Sequence, residues 1–164
     1  MTLYLKKKHF SWRTQFTVTD ENEQTRFTVR PEIISISRHM HIMDNEMNEV
    51  GEVKGKLMAL NQNPYAITAK GEDLGMLKPK TSFMKVKYDL TGKGWEVRSN
   101  FLQNDFTITD GNMEIASIHK KTISWGESYI MEIGDEENEV AVVAIVLTLN
   151  AIKQDEADAN RDND

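Results

Sequence analysis

The sequence predicts a mainly β domain, a closed antiparallel barrel of about twelve short strands in six hairpins around one hydrophobic C-terminal helix. Two observations carry this reading. A three-residue apolar motif recurs six times with polar turn formers between its copies, and the chain closes on a long, nearly apolar run, Val140 to Ile152.

Trp12, Phe16 and Val18 form the first copy of the motif and Ile36, Met40 and Ile42 the second. Leu60, Tyr65 and Ile67 follow, then Phe83, Tyr88 and Leu90, then Leu102, Phe106 and Ile108, and last Trp125, Tyr129 and Met131. The final two members of each copy are two residues apart, the strand period, so they share a strand face. Between the first two members lie polar turn formers such as Arg13-Thr14-Gln15, Asn61-Gln62-Asn63-Pro64 and Gly126-Glu127-Ser128. The alternate turns read as Asp20-Glu21-Asn22-Glu23, Asp44-Asn45-Glu46, Lys70-Gly71-Glu72-Asp73, Thr91-Gly92-Lys93-Gly94 and Asp110-Gly111-Asn112. In three copies an Asp (Asp20, Asp44, Asp110) stands two residues past the aliphatic, where a strand gives way to a turn. Strands on both sides of every turn make a meander, and closure into a barrel or sandwich removes its exposed edges.

The terminal run is rich in Val and Ile, which favour strands. Its length argues for a helix, since a strand usually spans roughly 5–6 residues. Asp135, Glu136, Glu137 and Glu139 precede it, and negative charge suits a helix N-terminus. A helix apolar on every side needs a buried setting, so the reading is a helix over about residues 137–152 enclosed by the barrel. It is short of the roughly 20 apolar residues a membrane span needs. Residues 154–164 are acidic and nearly free of apolar side chains, which predicts a disordered tail after a domain over residues 1–153.

The chain has 164 residues, 39% hydrophobic and 28% charged, ordinary for one globular domain. It has no cysteine, which excludes disulfides, thiolate metal sites and thiol nucleophiles. The opening MTLYLKKKHFSW lacks the apolar core and cleavage site of a secretory signal, so a cytoplasmic location is expected. Net charge is −6, but residues 1–134 hold 18 basic against 17 acidic residues, while residues 135–164 hold 2 against 9. A near-neutral body argues against nucleic acid as a partner.

Tyr4-Leu5-Lys6-Lys7-Lys8-His9-Phe10-Ser11-Trp12, Gly94-Trp95-Glu96-Val97, Ile123-Ser124-Trp125-Gly126 and Ala141–Leu147 occur in that order along the chain. Together with the six hairpins and the terminal helix, they make it resemble the LURP-one-related family of the tubby C-terminal-like superfamily over roughly residues 1–153. The second repeat has Ser35-Ile36 where a Ser-Trp is often found. The resemblance implies a closed barrel threaded by its helix. Its superfamily includes phosphoinositide-binding tubby domains and scramblases, but no motif here matches the tubby lipid site, and a shared fold does not transfer a function.

Lysines come in doublets: Lys6 with Lys8, Lys54 with Lys56, Lys78 with Lys80, Lys85 with Lys87, and the adjacent Lys120 and Lys121. A spacing of two puts both members on one strand face, and aligned pairs would collect ammonium groups for phosphate headgroups. The competing reading is that these lysines keep the barrel exterior soluble and unpaired. His39-x-His41 has the same spacing and suits a two-histidine metal site, yet no third ligand is set by spacing, and surface or hairpin histidines are the expectation. The acidic run 135–139 lacks the alternating oxygens and central Gly of an EF-hand loop, so capping accounts for it without calcium. Ser11-Trp12 and Ser124-Trp125 sit in no nucleophile elbow, and no phosphate-binding glycine loop is present. The expectation is therefore a non-enzymatic binding or scaffold module without catalytic residue, metal or cofactor. Its partners would be anionic lipid headgroups met at the membrane periphery; the alternative is a regulatory protein-interaction module with an unknown protein partner, and the further alternative an enzyme of an unrecognised kind.

Overall fold

The computed structural model describes residues 1–10, 13–32, 38–56, 64–82, 85–100, 105–123 and 126–161. Twelve strands follow one another along the chain: β1 (Thr2–Phe10), β2 (Arg13–Thr19), β3 (Thr25–Pro31), β4 (His39–Met43), β5 (Glu49–Gly55) and β6 (Tyr65–Ala69) make the first half. The second half is β7 (Glu72–Ser82), β8 (Lys85–Leu90), β9 (Trp95–Asn100), β10 (Asp105–Asp110), β11 (Met113–Ile123) and β12 (Gly126–Ile133). Each pairs antiparallel with its chain neighbours, and β1 also pairs with β12, from Thr2↔Glu132 to Lys6↔Ser128. The barrel is closed and has no free edge.

The repeat read from sequence is the inner lining of this wall. Phe16, Val18, Met40, Ile42, Tyr65, Ile67, Tyr88, Leu90, Phe106, Ile108, Tyr129 and Met131 are all buried. The first members of the copies, Trp12, Ile36, Leu60, Phe83, Leu102 and Trp125, lie outside the described residues, as do Ser11 and Ser124. Directly after the aliphatic member, the register shifts in four copies, at Val18/Thr19, Ile42/Met43, Ile67/Thr68 and Ile108/Thr109. Such bulges bend the strand into its turn. The Asp of the motif then holds the turn. An Asp20 carboxylate oxygen accepts from the backbone N–H of Asn22 and Gln24, and Asp44 accepts from Glu46 and Asn48, each at 2.9 Å. Those bonds to the ionised form, that from Asn48 foremost, lower the Asp44 carboxyl below its usual range.

Room for a helix follows from strand number. Twelve strands about 4.8 Å apart give a wall at least about 18 Å across, and tilt widens it; a helix with side chains needs about 10–12 Å. A 3-10 turn (Glu136–Asn138), capped by Asp135 through the N–H of Glu137, leads into α1 (Glu139–Arg161). Every residue from Glu139 to Ala151 is buried, a stretch of about 20 Å that matches the wall height of six or seven strand residues. Gly51 admits the start of the helix, because a Cβ there would stand 2.8 Å from Val140 Cγ1. The buried polar side chains on α1 are satisfied. Thr148 Oγ1 donates to the Ala144 carbonyl at 2.8 Å, and Tyr129 Oη donates to Asn150 Oδ1 at 3.5 Å.

An arginine holds the helix at each mouth of the barrel. At the entry, Arg26 Nη2 donates to Glu139 at 2.7 Å and to Glu136 at 3.0 Å. At the exit, Arg38 donates to Asp155 at 2.6 Å, to Gln154 at 2.9 Å and to Asp158 at 2.9 Å, while Tyr65 Oη donates to Asp155 at 2.5 Å. Burial, reinforced by that bond to Asp155, holds the Tyr65 phenol well above its ordinary value. Burial, with Glu156 nearby, pushes Tyr88 up to about 12.

The helix end corrects the sequence reading. The acidic segment is not a free tail from residue 154, since α1 runs to Arg161 and its first acidic residues are bonded to the barrel. Deleting residues 155–164 should therefore lower stability by about 1–2 kcal/mol, the value of a partly exposed charged network. A lower urea midpoint at unchanged slope is the expected result; an unmoved midpoint would mean the exit contacts contribute nothing.

Candidate functional site

All odd-numbered strands run toward the same rim, because every neighbour is antiparallel. Lys6 and Lys8 in β1, Lys54 in β5 with Lys56 just beyond it, Lys78 and Lys80 in β7, and Lys120 and Lys121 in β11 thus all stand toward the helix-exit rim. Facing follows from buried neighbours. Leu5, Val53, Gly55, Leu77 and Ile118 point inward, so Lys6, Lys54, Lys56, Lys78 and Lys121 point outward. Among the described residues, no ion pair engages any of these five. Lys120 is different: opposite the buried Tyr129, it turns toward the lumen with Nζ 6.0 Å from that ring. The adjacent pair 120–121 therefore shares no face. The side chains of Lys8 and Lys80 lie outside the described residues.

Register divides the outward lysines into two groups. Lys6 and Lys121 both pair with Ser128 and so flank β12, about 10 Å apart. Lys56 and Lys78 flank the start of β6, one step beyond Gly55↔Tyr65 and Tyr65↔Leu77. Four strand spacings, about 19 Å of wall, separate β1 from β5 and β7 from β11. The lysines ring the rim rather than forming one patch. The acidic end of α1 emerges at the same rim, where Arg38 pairs with Asp155 and Asp158 and offsets one of their two charges.

His39 and His41 lie on the outer face of β4, near that rim, and His39 is not a surface histidine. It is only 9% exposed. Its Nδ1 meets Glu32 and its Nε2 meets Glu52, both at short range. His41 Nδ1 lies 2.8 Å from Glu49, and the two imidazole centroids are 4.3 Å apart. One ligand atom each from Glu32, His39 and His41 fall within 4.8 Å of one another, so the third ligand that spacing did not set is supplied by the residue after β3. The β4–β5 contacts were within reach of the sequence, since folding that hairpin about Asp44–Asn48 sets His41 opposite Glu52. Glu32 comes from the β3 side of β4, one register step beyond Pro31↔Met40, with its N–H donating to the His39 carbonyl at 2.8 Å. His119 is separate, its Nδ1 3.0 Å from Asp105, and the side chain of His9 lies outside the described residues.

In the acidic run before α1, the carboxylates of Glu136 and Glu139 are taken by Arg26 and that of Asp135 by the turn. A depression of about 500 Å³ on the outer wall, lined in part by Asp89, Glu96 and Arg98, lies toward the opposite rim.

A family model described as LURP-one-related matches residues 1–150. The chain belongs to the LURP-one-related family. A relative, the uncharacterized protein YxjI of Bacillus subtilis (strain 168), is 30% identical over 156 residues, covering 95% of this chain and 96% of its own. The X-ray structure of a protein from Arabidopsis thaliana superposes with a TM-score of 0.58 at 15% identity, covering 91% of each chain. That likeness supports the LURP-one-related barrel as a fold and carries no activity with it. No helix among the described residues is long and apolar enough to cross a membrane.

Proposed function

We propose that this LURP-one-related barrel is a non-enzymatic, cytoplasmic binding module that meets anionic lipid headgroups at the membrane periphery through its lysine-bearing rim. The observation that supports this reading is the convergence of the outward lysines of β1, β5, β7 and β11 on one rim. A ring suits an end-on approach to a flat surface, where lysines on opposite sides of the barrel touch it together. Each lysine near an anionic surface is worth about 1 kcal/mol. The acidic helix end subtracts from that sum, and Arg38 limits the subtraction. The balance is weak, salt-sensitive peripheral binding.

Co-sedimentation with phosphatidylserine-containing against purely zwitterionic vesicles tests it at low and physiological salt. Binding should occur only to anionic vesicles, fall as salt rises, and be lost in the double variant Lys78→Glu/Lys121→Glu. Absence of binding in every condition would retire the reading in favour of a protein partner.

A further inference from the structure

The cluster on β3, β4 and β5 has a chemistry that lysines and lipids do not use. Its first feature is hydrogen-bond arithmetic. Both ring nitrogens of His39 face carboxylate oxygens, yet a neutral imidazole carries a single N–H. One contact then sets a lone pair against a carboxylate unless the ring carries a second proton or a bound cation takes the place of that contact. The second feature is charge. Glu32, Glu49 and Glu52 gather around two imidazoles. The cations at hand are Lys54, the exposed register partner of His39, and Arg30, the exposed register partner of His41.

The third feature is the division of labour among the carboxylates. Glu52 on His39 Nε2 and Glu49 on His41 Nδ1 can each hold one imidazole N–H. Each ring is thereby oriented with its other nitrogen available as a donor, the arrangement in which an outer carboxylate steadies a metal-binding histidine. Glu32 supplies an oxygen beside the freed Nδ1 of His39. The fourth feature is span. Ligand atoms of Glu32, His39 and His41 lie within 4.8 Å of one another, and a tetrahedral ion with bonds of about 2.0–2.1 Å asks for about 3.4 Å. Adjustment of the Glu32 and His41 side chains, both partly exposed, would have to cover that difference.

We infer that Glu32, His39 and His41 bind one divalent first-row transition-metal ion, with Glu52 and Glu49 orienting the two imidazoles. Two nitrogens and one oxygen select an ion such as Zn²⁺ or Co²⁺ over Ca²⁺ or Mg²⁺, which take oxygen shells. Three protein ligands leave a position open for water or an exogenous group. The ion would tie the end of β3 to β4 at the helix-exit rim. This inference is independent of the lipid reading.

The test uses the full, untagged chain after dialysis against a chelator. Titration with Co²⁺, followed by visible absorption and then Zn²⁺ competition by calorimetry, should give one ion per chain and a higher melting temperature when loaded. His41→Ala and Glu32→Gln should each weaken Zn²⁺ binding at least tenfold, and Glu52→Gln by about tenfold. His119→Ala, a control histidine away from the cluster, should leave affinity unchanged. Circular dichroism confirms that each variant is folded, and the half-exposed Glu32 makes its variant safe where one at the buried His39 would risk the fold. No Zn²⁺ binding by the unaltered chain would overturn the inference. So would binding that His41→Ala and Glu32→Gln leave intact, or displacement of Zn²⁺ by an equal concentration of Mg²⁺.

Discussion

Truncation at Asn138 should yield a chain with no cooperative unfolding transition. The deletion removes Val140, Val142, Val143, Ile145, Val146, Leu147 and Leu149, all at most 3% exposed, along with three buried alanines. At about 1.5–3 kcal/mol for each fully buried aliphatic, the seven contribute on the order of 10–20 kcal/mol, an upper estimate for an extended unfolded reference. The net stability of a domain is about 5–15 kcal/mol, so the loss is as large as the whole. The wall would also be left with Leu3, Leu5, Ile42, Ile67, Leu90 and Ile108 facing an emptied lumen. A compact but loosely packed state that binds ANS and melts without a transition is the expected product. A sharp melt near that of the full chain would show that the wall closes unaided, and the enclosed helix would lose its place as the core of the fold.

That dependence explains which parts of the molecule were legible from sequence. The wall was readable because its signal is local. Two buried residues at strand spacing recur in all six copies, with a bulge after them in four and an Asp at the turn in three, and a closed meander then orders itself. The helix was readable because a fully enclosed helix has no polar face, so Val140–Ile152 stands out by composition alone. Its exit was not. Gln154, Asp155 and Asp158 read as a solvated tail until Arg38, more than a hundred residues upstream, is brought to the rim. The lysines show the same divide. Period two sets Lys6 outward and Lys7 inward, where it is 7% exposed, and the adjacent 120–121 pair falls on opposite faces for the same reason. Whether doublets on different strands meet depends on barrel closure, which a linear reading does not contain. Glu32 joins the histidines through the β3–β4 register, one step beyond Pro31↔Met40, and not through closure.

Gly75→Ala should cost about 3–5 kcal/mol, while the same change at Gly71 should cost about 1 kcal/mol. Both glycines have left-handed backbone, φ +83° at Gly75 and +78° at Gly71. A side chain is strained at either position, by about 1–2 kcal/mol. The surroundings separate them. Nothing lies within 4 Å of a Cβ built at Gly71, whereas one at Gly75 would stand 2.3 Å from the Gly92 backbone nitrogen and 2.5 Å from Thr91 Oγ1. Gly75 forms part of a bulge: Ile67 pairs with Gly75 and Thr68 with Asp73, which leaves Leu74 unpaired and buried against the core. The β8–β9 turn closes over that bulge, with Gly92 N–H donating to the Leu74 carbonyl at 2.9 Å and Met76 N–H donating to Thr91 Oγ1 at 2.9 Å. Relief of the clash would have to break these bonds, since the opposing atoms are backbone and a bonded hydroxyl rather than the end of a flexible chain. At roughly 2–4 °C per kcal/mol for a domain of this size, Gly75→Ala should melt about 10 °C lower and Gly71→Ala about 3 °C lower. Equal shifts for the two variants would mean that the turn lifts freely from β7, and the bulge would then be strained backbone without a packing role.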